Sequence, residues 1–259
     1  MSEVPPRKNA DLPVRAAVGI ALIAVAGLAL WLGGFAFWLL ATVAGIVMID
    51  EWGKLHGAMP ARRKLAQYAL MVPLAIMAPV AAGASFLALG LVFGAFFFLA
   101  IVTRSGALGA GAVYVGLPVL ALVFLREQGL LVAFWAMALV WACDIGAYFA
   151  GRAIGGPKLI PAVSPNKTWA GLGGGVVAAG SFGLALTVWG LPLALAVSSP
   201  LLAVLAQAGD LYESWLKRRA GVKDSGNILP GHGGVLDRLD GLVPVAPVAA
   251  VLVLLLGAA

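Results

Sequence analysis

Asp210, Glu213, Ser214 and Lys217 recur at i, i+3, i+4 and i+7, with Arg218 adjoining, so on a helix they form one polar stripe. Carboxylate and hydroxyl oxygens are hard ligands suited to Mg2+, whereas Lys and Arg suit phosphate oxygens. Taken alone, the stripe can equally be a solvated helix end laced with ion pairs. The residues C-terminal to it shift the balance. Lys223-Asp224-Ser225-Gly226 and Pro230-Gly231-His232-Gly233-Gly234 are turn-rich, and glycines let backbone N–H groups approach an anion. Asp237, Arg238 and Asp240 come directly after. Set between two acid/base clusters, the glycine turn reads as a phosphate and metal site. His232 can contact phosphate, transfer a proton or cap a turn, and contact or support is favoured over a general base. A phosphate monoester attacking a nucleotide needs orientation and charge neutralisation more than a strong protein base.

Two further groups carry polar chemistry. Asp144, Tyr148 and Arg152 recur every four residues and give one polar face at the inner end of an apolar run. A carboxylate this close to lipid must face protein or water, which makes Asp144 a functional candidate. The structural alternative is a pair with Arg152 or another cation. Ser164-Pro165-Asn166-Lys167-Thr168 then offers a rigid turn, an amide, a cation and hydroxyls in a short loop, a set able to hold a nucleotide's phosphates, sugar or base. Nearer the front, Asp50, Glu51 and Lys54 beside Trp52 are expected to anchor a span at the headgroup level, with substrate access as the second reading. Cys143 stands alone, which leaves no disulfide framework and a packing role.

The elements that must position these residues are membrane helices. The composition is 62% hydrophobic and 11% charged, far outside the soluble globular range. Apolar runs of roughly 15–20 residues recur nearly end to end, each approaching the hydrocarbon thickness as a helix. The runs 16–33, 35–50, 66–83, 85–102, 107–125, 130–150, 171–189, 191–208 and 242–258 predict an all-α, polytopic bundle of about nine spans. The first run is long for a cleaved signal peptide and leads straight into further spans. Residues 1–259 read as one integral membrane domain, with 126–259 as the half that bears the motifs. Gly171 to Gly175 open the seventh run, where small residues permit close helix packing.

Charge placement predicts the topology. With a cytoplasmic N-terminus, Arg7, Lys8, Arg15, Lys54, Arg62–Lys64, Arg104, Arg152, Lys158, Lys167 and the cations of 217–238 all lie inside, and only Arg126 lies outside. That places the active site at the cytoplasmic face and the C-terminus in the periplasm. The net charge of +6 therefore sets orientation and meets anionic lipid headgroups; it does not point to nucleic acid.

The block Ser214-x-x-Lys217-Arg218, four residues, Lys223-Asp224-x-Gly226-x-x-Leu229-Pro230-x-His232-Gly233-Gly234-x-x-Asp237-Arg238-x-Asp240 resembles the signature of the phosphatidate cytidylyltransferase family, the CDP-diacylglycerol synthases, with its spacing complete over 27 residues. The resemblance extends to Asp144-x-x-Ala147-Tyr148-x-x-Gly151-Arg152, to Ser164-Pro165-x-Lys167-Thr168 and to Glu51-Trp52. Gly241 departs from the small polar residue that many relatives carry after the final acid. The resemblance implies a bacterial inner-membrane enzyme of phospholipid biosynthesis that converts CTP and phosphatidic acid to CDP-diacylglycerol and pyrophosphate. It implies Mg2+, with K+ as a plausible second cation, and a homodimer. It carries the cations over to Asp210 and Asp237, with Ser214 and Asp224 nearby and Asp144 less firmly assigned. The expected catalytic set is Asp210, Ser214, Lys217, Arg218, Asp224, His232, Asp237, Arg238 and Asp240. The expected substrate-binding set is Asp144, Tyr148, Arg152, Ser164, Asn166, Lys167, Thr168, Lys223, Gly233 and Gly234.

The competing enzyme reading is a CTP-dependent polyprenol or dolichol-type lipid kinase, because such enzymes share part of the acid/glycine block. From another class, a transporter or non-catalytic lipid-binding protein predicts charges near mid-membrane and an inverted repeat. The charges gather at one face instead, and no motif repeats.

Overall fold

A backbone surrounded by hydrocarbon has to satisfy its own N–H and C=O groups, so the long apolar runs fold as helices. The computed structural model describes residues 12–229 and 231–256, with side chains from Ala17 onward. Arg7, Lys8, the Arg15 side chain, Pro230 and the last residues of the ninth run lie outside the described residues. In chain order the helices are α1 (Leu12–Leu32), α2 (Gly34–Leu55), α3 (Pro60–Ile76), α4 (Phe86–Thr103), α5 (Gly106–Gln128), α6 (Leu130–Ile154), α7 (Trp169–Leu186), α8 (Leu193–Ala196), α9 (Ser199–Arg219), α10 (Leu236–Leu239) and α11 (Leu242–Leu256).

Among the described residues six stretches are long and apolar enough to cross a membrane: Gly34–Leu55, Phe86–Thr103, Gly106–Gln128, Leu130–Ile154, Trp169–Trp189 and Leu193–Arg219. Ala17–Leu32 and Leu242–Leu256 are apolar but shorter. The chain is a multi-pass, predominantly helical membrane protein. Phe86, Phe97 and Ile101 of α4 point outward, as lipid-facing side chains do. The third expected run, 66–83, is displaced. Its helix starts at Pro60, carries Arg62, Arg63 and Lys64 near its beginning and stops at Ile76. Residues 77–85 turn instead, because Pro79 disfavours helical geometry just before it.

One segment departs from an all-helical chain. β1 (Lys158–Ile160) and β2 (Ser164–Thr168) pair antiparallel, with Lys158 opposite Thr168 and Ile160 opposite Ser164. The short loop expected at 164–168 is thus the second strand of a hairpin. Pro157, Pro161 and Pro165 deny this stretch the N–H groups a helix would need. Thr168 ends the strand and caps α7, its Oγ1 accepting the Gly171 N–H at 3.0 Å.

The interior holds two apolar clusters that share α5. One includes Ile49, Trp52, Leu70, Leu74 and Leu99 with Ala112, Val115 and Val119 of α5. The other includes Trp135, Leu139, Ala179, Leu202 and Ala246 with Ala121, Leu122 and Leu125 of α5. Buried tryptophans are tied down by their ring N–H groups: Trp52 donates to the Ala107 carbonyl at 2.8 Å and Trp135 to Ser199 Oγ at 2.9 Å. α6 and α7 pack closely at Gly146 and Gly174, where an added Cβ on Gly174 would collide with Ala150 and lie 2.8 Å from the Gly146 carbonyl oxygen. Arg126 caps the end of α1, donating to the Leu30 carbonyl at 2.7 Å.

Candidate active site

α9 is the spine of the polar region. Its helical repeat sets Asp210, Glu213, Ser214 and Lys217 along one side, as their spacing requires. Two acid–lysine centres form along that side.

The first joins α9 to the hairpin and to α6. Lys167, from β2, pairs with Asp210 Oδ2 at 2.7 Å and donates to Gln207 Oε1 at 2.8 Å. Gln207 in turn donates to Asp144 Oδ1 at 3.3 Å, and Ser214 Oγ donates to Asp210 Oδ1 at 3.2 Å. This centre is open, with the Asp210 side chain 33% exposed. Asp144 therefore does not pair with Arg152. The two are eight residues apart on one helix, roughly 12 Å along its axis, and Arg152 donates instead to the Tyr148 hydroxyl at 2.9 Å. Tyr148 and Arg152 are both exposed.

The second centre is closed. Lys217 Nζ donates to Asp237 Oδ1 at 2.6 Å, and only 3% of the Asp237 side chain is exposed. Asp237 Oδ2 accepts the N–H groups of Ser225 and Gly234, both at 2.8 Å, and the Ser225 hydroxyl at 2.9 Å. Gly233, with φ +79°, takes the left-handed conformation that brings the turn round to Asp237. Burial alone would push the Asp237 carboxyl up. The Lys217 ammonium and the Gly234 and Ser225 N–H groups outweigh it and hold Asp237 below the usual carboxylate range. Asp240 behaves oppositely: burial, then the charge of Asp210, pushes it up to about 6.

Three contributors stand outside the expected catalytic and binding sets. Glu51, expected at the headgroup level with Asp50 and Lys54, is wholly buried. Its Oε1 accepts the Val235 N–H at 3.0 Å, and its Oε2 accepts the Leu236 N–H at 2.7 Å and the Ser225 hydroxyl at 3.2 Å. Asp50, its neighbour on α2, pairs instead with Lys54 at 2.7 Å and Arg63 at 3.5 Å. Gln207, buried in α9, bridges Lys167 and Asp144. Glu213 belongs to the stripe but to neither expected set. It is wholly buried, 3.4 Å from Lys217, and neither of its oxygens receives a hydrogen bond. Neither acid lies inside an expected apolar run: Glu51 follows the second directly and Glu213 lies in the polar stretch after the eighth, so their burial is visible only in the fold.

The remaining expected residues are arranged more loosely. Arg218, Lys223, Asp224 and Arg238 are exposed, and none forms an ion pair among the described residues. Arg238 Nε donates to the His232 carbonyl at 2.9 Å, so His232 holds the turn through its backbone while its ring reaches α1 near Gly19. Ser164 and Asn166 lie on β2, half-buried and exposed respectively. Cys143 is buried and packs as expected, its thiol 3.6 Å from the Ala203 carbonyl. A cavity of about 500 Å3 opens between the end of α2 and the loop after α9, lined in part by Lys54, Val222, Asp224, Ser225 and Asn227.

Among the described residues no three Asp, Glu, His or Cys side chains converge into a ready-made cation cage. Mg2+ does not need one, since it commonly takes one or two carboxylates and completes its shell with water and substrate phosphate. The open Asp210 and the donor-free oxygens of Glu213 suit such an ion. Asp237 has less room, because four donors already occupy its two oxygens. The arrangement can hold a polyanion between two lysines while acids on the same helix balance a cation.

The sequence matches the model of the cytidylyltransferase family over residues 13–256. It is 42% identical over 229 residues to the phosphatidate cytidylyltransferase of Brucella suis biovar 1, which covers 83% of each chain. It is 43% identical over 149 residues, 55% of each chain, to the phosphatidate cytidylyltransferase of Bacillus subtilis. Against the enzyme of that name from Pseudomonas aeruginosa it is 46% identical over 131 residues, spanning 48% of this chain and 47% of the relative.

Proposed function

This chain belongs to the cytidylyltransferase family, and we propose that it transfers the cytidylyl group of CTP to phosphatidic acid, forming CDP-diacylglycerol and pyrophosphate. A phosphate oxygen of the lipid attacks the α-phosphorus of CTP; the bond from that phosphorus to the β-phosphate bridge breaks, and pyrophosphate leaves. No strong base is required, because the attacking phosphate is already anionic. What the reaction needs is two polyanions held in line, with the growing charge neutralised.

The observation that carries this reading is the pair of contacts α9 makes, Asp210 with Lys167 of β2 and Lys217 with Asp237 of α10. Lys167 and Lys217 supply charge for the phosphates, and exposed Arg218, Lys223 and Arg238 supply it for the incoming lipid headgroup and the departing pyrophosphate. Gly233 and Gly234, expected to bring backbone to the substrate anion, bring it instead to Asp237. Asp144 reaches the open centre through Gln207 and is assigned to the nucleotide, as are Ser164, Asn166 and Thr168 of β2 and Tyr148 and Arg152 of α6. Asp210, with Ser214 beside it, would hold Mg2+, with K+ as a second cation; Asp237 would join it only by releasing the Lys217 ammonium, and Asp224 and Asp144 stand by. A bound Mg2+ would neutralise phosphate oxygens and align the triphosphate.

The chain is assigned to a bacterial inner membrane with about nine crossings, counting α1, α3 and α11. Its N-terminus is then cytoplasmic, its C-terminus periplasmic, and its basic face meets anionic lipid. A homodimer is compatible with this arrangement. Purified protein given Mg2+, phosphatidic acid and radiolabelled CTP should yield a lipid-soluble cytidine product and pyrophosphate. Release of CDP with a phosphorylated lipid would favour the kinase reading, and no lipid product in folded preparations would reject both. A reporter fused after Ala259 should give a periplasmic signal.

A further inference from the structure

Glu51 lies near the end of α2, 174 residues before Ser225 in the chain, yet both its oxygens are committed to the loop that carries Asp237. Val235 and Leu236 give it their N–H groups, and Ser225 gives it a hydroxyl contact. The same short stretch faces Asp237 on its other side, through the N–H groups of Ser225 and Gly234. Ser225 has one hydroxyl proton and lies 2.9 Å from Asp237 and 3.2 Å from Glu51, so the two carboxylates compete for it across the turn. The backbone is shaped to this anion. A Cβ on Gly234 would collide with the Ser225 hydroxyl and the Glu51 carboxylate.

We infer that Glu51 is a positioning residue for the reaction: it templates the turn from Ser225 to Leu236 and through it fixes Asp237 against Lys217, without touching substrate. Glutamine has the same shape but turns an NH2 group toward backbone donors and leaves one of them unsatisfied. Aspartate keeps both acceptors and loses only reach. A buried carboxylate that served packing alone would be poorly chosen, since an apolar residue would fill the space without a desolvation cost.

The inference rests on the transfer reaction proposed for the chain, and two measurements on the full chain in detergent test it. Steady-state kinetics should show Glu51→Gln lowering kcat about 100-fold, the scale expected when reacting groups are misplaced by about 1 Å, while KM for CTP changes little. Glu51→Asp should recover part of kcat. Hydrogen exchange should show the amides of Ser225, Gly234, Val235 and Leu236 opening about tenfold faster in Glu51→Gln, with α5 and α6 unchanged. If Glu51→Gln does not fold, Ser225→Ala removes the hydroxyl between the two carboxylates and should give the same local pattern with a smaller kcat loss. Wild-type kcat in the folded variant, or protection lost evenly over the whole bundle, overturns the inference. If the wild-type protein forms no cytidine lipid, the transfer reading fails, whereas the exchange measurement still reports on the turn.

Discussion

The two acid–lysine centres on α9 use the same residue types and differ in what holds them. At Asp210 the partners are side chains, Lys167 and Ser214, from a strand edge and the next helical turn, and a third of the acid is exposed. At Asp237 two of the donors are backbone N–H groups of a turn, and the acid is almost wholly enclosed. A side-chain partner can swing away when a ligand arrives; a backbone donor cannot without refolding the loop. The open centre is therefore suited to meeting mobile charge, and the closed one to supplying a fixed frame for it.

Asp237→Asn tests the closed centre and should have the largest effect. It leaves Lys217 with only the more distant Glu213 and turns an amide toward backbone donors. Turnover should fall at least 10²-fold, and stability in detergent should drop by about 3–5 kcal/mol, as for a broken buried pair. A variant that keeps wild-type stability would mean the turn does not depend on this acid.

Asp210→Asn should separate the two quantities. Activity should again fall about 10²-fold, while stability changes by no more than about 1 kcal/mol, because the pair is partly solvated. Equal destabilisation by Asp210→Asn and Asp237→Asn would erase the distinction between the centres. Gln207→Ala should be milder, with activity down roughly tenfold and stability lower by about 1 kcal/mol. It removes the amide between Lys167 and Asp144 but leaves the Lys167–Asp210 pair.

The pH response should split the acids more finely. Folding raises Asp240 from its ordinary 3.8 to about 6, so the folded state holds that proton more tightly. Its stabilising contribution is complete below 3.8 and is lost as pH rises through about 6. Asp237, lowered on folding, runs the other way: its contribution is present above 3.8 and is lost as pH falls through its lower folded value. The difference in unfolding midpoint between wild type and Asp240→Asn should therefore change between about pH 4 and 6 and be flat above. An identical pH profile in the two proteins would mean that Asp240 does not titrate in this range. Cys143→Ser, smallest of all, should leave turnover at the wild-type level, since the thiol only packs against Ala203 and Gln207.

Local regularities were legible in the chain. The stripe on α9 follows from 3.6 residues per turn, and the glycines of α7 pack as small residues at a span start are expected to. The mismatches fall where a local pattern was given a distant meaning. Asp144, Tyr148 and Arg152 share a face as expected, but sharing a face over two turns does not bring the first to the third. Ser164 to Thr168 has the composition of an isolated loop because its pairing partner, Lys158–Ile160, is too short to announce itself as a strand.

Helical character, membrane character, the polar side of α9 and the acid/glycine block are properties of neighbouring residues, and hydrophobic patterning with helical periodicity specifies them without knowledge of the rest of the chain. Which lysine meets which acid, why Gln207 is buried and what Glu51 holds are long-range matters. Gln207, at the end of its apolar run, and Glu51, beside Asp50 and Lys54, have no spacing that reveals their partners, and their contacts exist only after separate helices pack and deliver donors from far along the chain. Tertiary structure decided those, because a buried polar group must find hydrogen-bond partners wherever the packed bundle provides them.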